Sequence, residues 1–317
     1  MKKGKIIGII ILIIIIIAGF CIYSYNKKEQ VKEVSLTYVT APLNVPSIVE
    51  KNEQMFTKEY AKKGIKVKYY DITSGSEQTA ALASGNLDFL NAVGGTSAIL
   101  AASNGVNLKI LSVYSRAPQG FVIVTKDKSI KSVKDLKGLK IGGPKGTILN
   151  QLLVAALKKN DMNLKDVDYI NMGIPEAMAA LDNGSIKAAL LAGPAALKAE
   201  ESGAHVICDG KGLISGLIVT AVNENFAKAH PDLVNDFLKV QKQAIDYINQ
   251  NTDKALEQTS KVVGLTKAQT EKMYSWYNFN PTITQSDITA LEKTQDFLIN
   301  SGMQTNKIDI PSLIYHN

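Results

Sequence analysis

Only one guanidinium is available to this chain for gripping an anion. It belongs to Arg116, in the stretch Tyr114-Ser-Arg-Ala-Pro-Gln-Gly120; the other strongly basic side chains are all lysine. A guanidinium is flat, permanently charged and forked, and it can give two parallel hydrogen bonds to a carboxylate, sulfonate or phosphate. The sequence leaves two roles open for it: a clamp on an anionic ligand, or a salt bridge to a carboxylate of the same chain.

Four loops add anion-binding chemistry. Ala41-Pro42-Leu43-Asn44 precedes a helical pattern, and Asn44 can either cap that helix or turn its amide to a ligand. Gly94-Gly95-Thr96-Ser97 opens a second helix. Unpaired N–H groups and partial positive charge gather at such a start, glycine lets a ligand approach the backbone, and Thr96 adds a hydroxyl. Gly142-Gly-Pro-Lys-Gly146-Thr147 opens a third. It lacks the glycine spacing and the Gly-Lys-Ser/Thr ending of a phosphate loop, so it reads as another helix N-terminus, with Gly146 and Thr147 as contacts. In Ala192-Gly193-Pro194 the proline suits a first helical turn. The expected ligand-binding set is Pro42, Asn44, Gly94, Gly95, Thr96, Arg116, Gly146, Thr147, Gly193 and, on Gly212-Leu-Ile-Ser215-Gly216, Ser215. Trp276, beside Tyr274 and Tyr277, reads as core.

Other chemistries find little to work with. His205, His230 and His316 are scattered, Cys208 has no base near it in sequence, and there is neither an HExxH run nor a nucleophile elbow. No catalytic residue, metal site or cofactor is expected, and a binding protein is favoured over an enzyme.

The elements that must position these loops alternate. Strand patterns at 34–39, 65–70, 87–93 and 109–114 interleave with helical patterns at 47–63, 77–83 and 96–104. The rhythm resumes with strands at 121–125, from 140, at 167–171 and at 188–191, and with helices at 147–160, 175–181 and after Pro194. This predicts an α/β protein of two lobes, each a mostly parallel sheet flanked by helices. Residues 77–98 and 176–197 echo one another at a constant offset of 99, pairing Glu77 with Glu176, Gly85 with Gly184 and Gly94-Gly95 with Gly193-Pro194. Two lobes on one plan would produce such an echo. From about 230 the pattern is helical: 232–249, 252–263, 267–276 and 285–301.

The N-terminus is a separate matter. Lysines at 2, 3 and 5 precede an isoleucine-rich run to about 23, long enough to cross a bilayer core. Residues 1–23 are read as a membrane anchor or signal segment and 24–33 as a tether. Cys21 offers a lipoprotein alternative, although Phe20 and Ala18 depart from that pattern. Six lysines against two glutamates before residue 34 supply +4 of the net +7. The remaining body is nearly balanced, and nucleic acid is not expected as a partner.

Lys131-Ser-Val-Lys-Asp-Leu-Lys-Gly-Leu-Lys-Ile141, with ALASGNLDF (81–89) and HPDLVNDFLK (230–239), resembles the substrate-binding proteins of bacterial ABC transporters. Within these it looks like the branch that handles aliphatic sulfonates, taurine, nitrate and thiamine precursors. The resemblance implies a type II periplasmic-binding-protein-like fold. Lobe one would be 34–120 with 215–317, carrying the C-terminal helices, and lobe two 121–214. It also implies one small ligand between the lobes; two helix N-termini and one arginine favour a small anion, expected to be an aliphatic sulfonate such as taurine, with nitrate-like anions or a thiamine-precursor pyrimidine as alternatives. Delivery would be to a membrane permease driven by a cytoplasmic ATPase, from a monomer tethered outside the cell membrane. Pyrimidine synthases share this fold family, but their cysteine-rich motif is missing. A tethered sensor is a further reading, weakened because only residues 1–5 would lie inside the cell to signal.

Overall fold

The computed structural model describes residues 31–316. The anchor, the possible lipidation site at Cys21 and most of the tether lie outside the described residues. Two five-stranded sheets organise the chain. The first contains β1 (Glu33–Tyr38), β2 (Lys66–Asp71), β3 (Phe89–Gly94), β4 (Leu108–Arg116) and β10 (Leu217–Asn223), in the order β2-β1-β3-β10-β4. The second contains β5 (Phe121–Thr125), β6 (Lys140–Gly143), β7 (Asp168–Asn171), β8 (Ala188–Ala192) and β9 (His205–Asp209), in the order β7-β6-β8-β5-β9. Each sheet has four strands running one way and one running against them. β10 is antiparallel to β3 and β4, and β5 is antiparallel to β8 and β9.

Burial explains the sequence signal. β5 and β8 are buried throughout, and β3 is buried up to Gly94, because helices cover both faces of a parallel sheet. Their sequences are accordingly continuous apolar runs. Edge strands β2, β7 and β9 are half exposed.

The helices before the second sheet are α1 (Val45–Asn52), α2 (Met55–Ala61), α3 (Gly75–Ala83) and α4 (Gly95–Ser103). The single helix expected over 47–63 is two, because Gln54 takes a left-handed conformation (φ 56°) that breaks the ladder. Within the second unit come α5 (Ile148–Lys159), α6 (Ile174–Asp182) and α7 (Pro194–Glu201). The echo at offset 99 is structural as well. α3-β3-α4 and α6-β8-α7 occupy matching spans, β3 and β8 each stand third in their sheet, and Gly85 and Gly184 make the same left-handed turn (φ 76° and 77°). Strands β9 and β10, absent from the sequence reading, complete the two sheets.

After β10 come α8 (Glu224–Ala229), α9 (Pro231–Gln250), α10 (Thr252–Val263), α11 (Lys267–Tyr274) and α12 (Gln285–Asn300). α9 packs on α1 and α2, α10 on α1, and α12 on α4. Phe237 of α9 stacks on Phe89 of β3 at 4.4 Å and on Phe56 of α2 at 5.0 Å.

One buried polar network fixes α1 against the first sheet. Glu50 is fully buried and accepts from Asn91 Nδ2 at 2.6 Å and Gln241 Nε2 at 2.8 Å. One turn earlier, Ser47 N–H donates to the Tyr114 hydroxyl at 3.0 Å. Burial pushes the Glu50 carboxyl up to about 8 against the opposing bond from Asn91, and no salt bridge to it forms among the described residues. A carboxyl raised on folding stabilises the native state fully below the ordinary carboxylate range, and that stability is lost as pH rises through 8. The expected result is a melting temperature that falls from about pH 5 to pH 8 and levels off above it, with a much flatter profile for Glu50→Gln, which mimics the protonated acid. Equal slopes in the two proteins would show that Glu50 does not titrate in this range.

Candidate functional site

A cavity of about 330 Å³ lies between the two sheets. Its walls come from the carboxyl ends of β1, β2 and β3 on one side and of β6, β7 and β8 on the other, where ligands bind in open α/β sheets. From the first unit it is lined by the loop through Ala41, Pro42 and Asn44, by Asp71–Gly75 with Glu77 and Gln78, and by Gly94 and Ser97. From the second come Phe121, the segment around Pro144, Thr147 and Ile148, residues Gly173–Glu176, and Ala192.

The N-terminal ends of α1, α3, α4, α5 and α6 therefore all meet this space. A helix start presents N–H groups without intrahelical partners, together with partial positive charge. Away from the cavity, α8, α11 and α12 have a side-chain cap from Asn223, Thr266 and Thr284, and α2, α7, α9 and α10 have none. At the cavity, the N-cap residues of α3, α4 and α6 supply no side-chain cap, the Ser47 N–H of α1 is taken by Tyr114, and Thr147 caps α5. The arrangement can hold an anion on backbone dipoles alone. Among the described residues no lysine, arginine or histidine lines the cavity, whereas Asp71, Glu77 and Glu176 do.

The two units are in contact around this space. Thr96 Oγ1 donates to Gln151 Oε1 at 2.5 Å, and Ser97 Oγ donates to the Gly146 carbonyl at 2.8 Å. Gly193 (φ 57°) lies flush against the Pro42 backbone, and a Cβ there would stand 1.6 Å from the Pro42 carbonyl oxygen.

Of the residues expected from sequence, Pro42, Asn44, Gly94 and Thr147 line the cavity. Asn44 does not cap α1: its Nδ2 donates to the Ala41 carbonyl at 2.9 Å and its Oδ1 is buried without a partner. The other six stand elsewhere. Gly95 packs against Leu291 and the Leu217 carbonyl. Thr96, Gly146 and Gly193 are occupied in joining the two units, as described. Ser215 lies on the return crossing, where the adjacent Gly216 presses on Pro118. Arg116 also stands outside the cavity lining. β4 runs on through this residue, and its guanidinium forks onto Asp287 of α12 with two bonds of 2.7 Å. It also donates to the carbonyls of Asn280 at 2.9 Å and Thr282 at 3.0 Å. Four of its five N–H donors are used inside the fold, in keeping with the second of the two roles the sequence left open.

Sequence reasoning missed Asp71, Glu77, Gln78 and Glu176. A signal was present, since the echo begins with the pair Glu77 and Glu176; each is the third residue of its helix and each faces the cavity.

Two sheets of matching order with a cavity at their facing carboxyl edges define the class: a two-lobed binding protein of the periplasmic-binding-protein-like fold. The alkanesulfonate-binding protein SsuA from Xanthomonas axonopodis pv. citri, solved bound to MOPS, superposes with a TM-score of 0.80 at 18% identity, covering 89% of this chain and 98% of its own. The periplasmic aliphatic sulphonate binding protein SsuA from Escherichia coli gives 0.73 at 20%, covering 90% and 92%. A family model described as NMT1/THI5 like matches residues 60–255, well over half of the sequence. The chain belongs to the NMT1/THI5-like family. A provisionally named aliphatic sulfonates-binding protein of Bacillus subtilis (strain 168) is 28% identical over 99% of this chain and 95% of its own length. The taurine-binding periplasmic protein of Escherichia coli (strain K12) is 29% identical over 76% and 74%. These relatives are binding proteins, and this chain is a binding protein rather than an enzyme.

Proposed function

We propose that this protein is the extracytoplasmic solute-binding component of an ABC importer and that its two lobes close on an aliphatic sulfonate. The observation that carries the reading is the cavity itself, with five helix N-termini opening onto it. The names of the relatives that match along the chain supply the ligand class. The volume suits a small organic ligand and leaves much of its space unfilled around a nitrate-like ion. A thiamine-precursor pyrimidine is the second reading, favoured by the lack of a cationic side chain in the lining.

In this reading lobe one comprises 34–120 and 215–317, and lobe two 121–214. The protein acts as a monomer that hands its ligand to a permease with a cytoplasmic ATPase. It is held at the outer face of the cell membrane by residues 1–23 or through a lipid on Cys21. No helix among the described residues is long and apolar enough to cross a membrane.

The test is a thermal-shift panel on the full chain in mild detergent, with taurine, ethanesulfonate, nitrate and a thiamine-type pyrimidine. A true ligand at 100 times its Kd stabilises by ~2.7 kcal/mol. A shift with the pyrimidine alone would replace the sulfonate reading with the second one.

A further inference from the structure

The two units also touch through residues that do not line the cavity. At one place α5 of the second unit packs on α4 of the first, beside the Thr96–Gln151 bond, and its last turn carries Lys158. Lys158 Nζ donates to the Asn300 carbonyl and to the Ser301 hydroxyl, each at 2.9 Å, and lies 5.3 Å from the centre of the Phe297 ring. At a second place Lys198 of α7 donates to the Val263 carbonyl at 3.1 Å. One turn further along, Glu201 accepts from Gln269 Nε2 of α11.

Both lysines meet the same kind of partner. Asn300 and Val263 are the last residues of α12 and α10. The final carbonyls of a helix have no intrahelical donor and carry partial negative charge, so an ammonium there gains hydrogen bonds and a favourable dipole. The last turn of α12 holds no basic residue of its own, and Lys261 in the last turn of α10 pairs with Glu257. The second unit thus supplies cations to two helix ends of the first. Two crossings of the chain join the units, Arg116 to Phe121 and Asp209 to Leu217, and neither lysine is on them. Parting the lobes leaves each sheet intact but breaks these bonds, so their free energy enters the equilibrium between parted and joined lobes.

We infer that Lys158 and Lys198 are positioning residues for ligand capture. By capping α12 and α10 across the boundary between the units, they bias the lobes toward the arrangement that completes the cavity, and they set affinity without touching the ligand. The inference rests on the reading that two lobes close on a ligand.

The test uses the full chain in contrast-matched detergent, with Lys158→Met/Lys198→Met and Lys158→Arg/Lys198→Arg. Methionine keeps most of the side chain without its charge, and arginine restores a charge at each helix end. Both lysines are exposed, so the variants should fold, which circular dichroism reports. Neutron scattering reads the separation of the lobes without added ligand, and calorimetry reads taurine affinity. The methionine pair is expected to scatter as a more extended molecule or to bind taurine about tenfold more weakly, about threefold from each lysine. The first shift dominates where joined lobes predominate before binding, the second where parted lobes do. The arginine pair should stay within about twofold of wild type. Wild type and methionine pair alike in both measurements overturn the inference, as does an arginine pair that falls as far as the methionine pair. If taurine binds none of the three proteins, the sulfonate reading falls and scattering alone decides between these outcomes.

Discussion

Gly193→Ala is expected to abolish tight ligand binding while leaving a folded protein. The Cβ it adds would lie 1.6 Å from the Pro42 carbonyl oxygen and 2.3 Å from the carbon, both backbone atoms that cannot rotate away. The lobes must part for it to fit, and parting them opens the cavity that Pro42 helps to line. A ligand that contacts both lobes then loses half of its partners. Its apparent affinity should fall by about 100-fold or more, because a binding-competent state that is scarcely populated taxes affinity in proportion. The conformation of Gly193, φ 57° and ψ −130°, is also one that side chains resist, at a cost on the order of 1–3 kcal/mol. Gly138→Ala is the control: Gly138 has φ 73° but no atom within 4 Å of an added Cβ, so it carries conformational strain without the collision. Titration and small-angle scattering read the outcome. The Gly193 variant should show no ligand-induced compaction, and the Gly138 variant should bind as the wild type does. Unchanged affinity in Gly193→Ala would mean that the Pro42–Gly193 contact is absent from the liganded state.

The second large effect concerns stability. Arg116→Lys keeps the charge but cannot reproduce a fork onto Asp287 together with bonds to two carbonyls. The pair is mostly buried, with Asp287 7% and Arg116 23% exposed at the side chain. Breaking a buried pair costs ~3–5 kcal/mol; solvent at the guanidinium argues for a discount, to about 2–4 kcal/mol. Ligand affinity should stay within about twofold, well under the tenfold that 1.4 kcal/mol represents, since Arg116 does not line the cavity. Asp287→Asn should behave alike and should also change the acid limb. Burial by itself would raise the Asp287 carboxyl, but hydrogen bonds from Arg116 and Thr284 outweigh it and hold the group at about 2. Its contribution is therefore present above the ordinary carboxylate range and lost as pH falls from about 4 toward 2. Urea unfolding at pH 7 and pH 3 would show wild type and variant converging at the lower pH. A loss of ligand binding at unchanged stability would return Arg116 to the role of an anion clamp.

Local pattern was enough for much of this protein. Helix 252–263 and strand 121–125 have the limits that their periodicity predicts, because apolar spacing and capping residues act within a turn or two. The offset-99 echo is legible for the same reason: α3-β3-α4 and α6-β8-α7 each carry their own turn glycine. The helix starts of α1, α4 and α5 could be placed at the cavity because a strand followed by a helix delivers its connecting loop to the carboxyl edge of a sheet.

What an individual side chain does there was settled by partners far away in sequence. Arg116 meets Asp287 across 171 residues, and Thr96 meets Gln151 across 55. Strand β10 owes its place to pairing with β3 and β4, a context that its own seven residues do not encode. Periodicity identifies the face on which a residue stands. It does not say whether a guanidinium finds a carboxylate, or an amide oxygen finds nothing, because those outcomes depend on which groups the tertiary fold brings within about 3 Å.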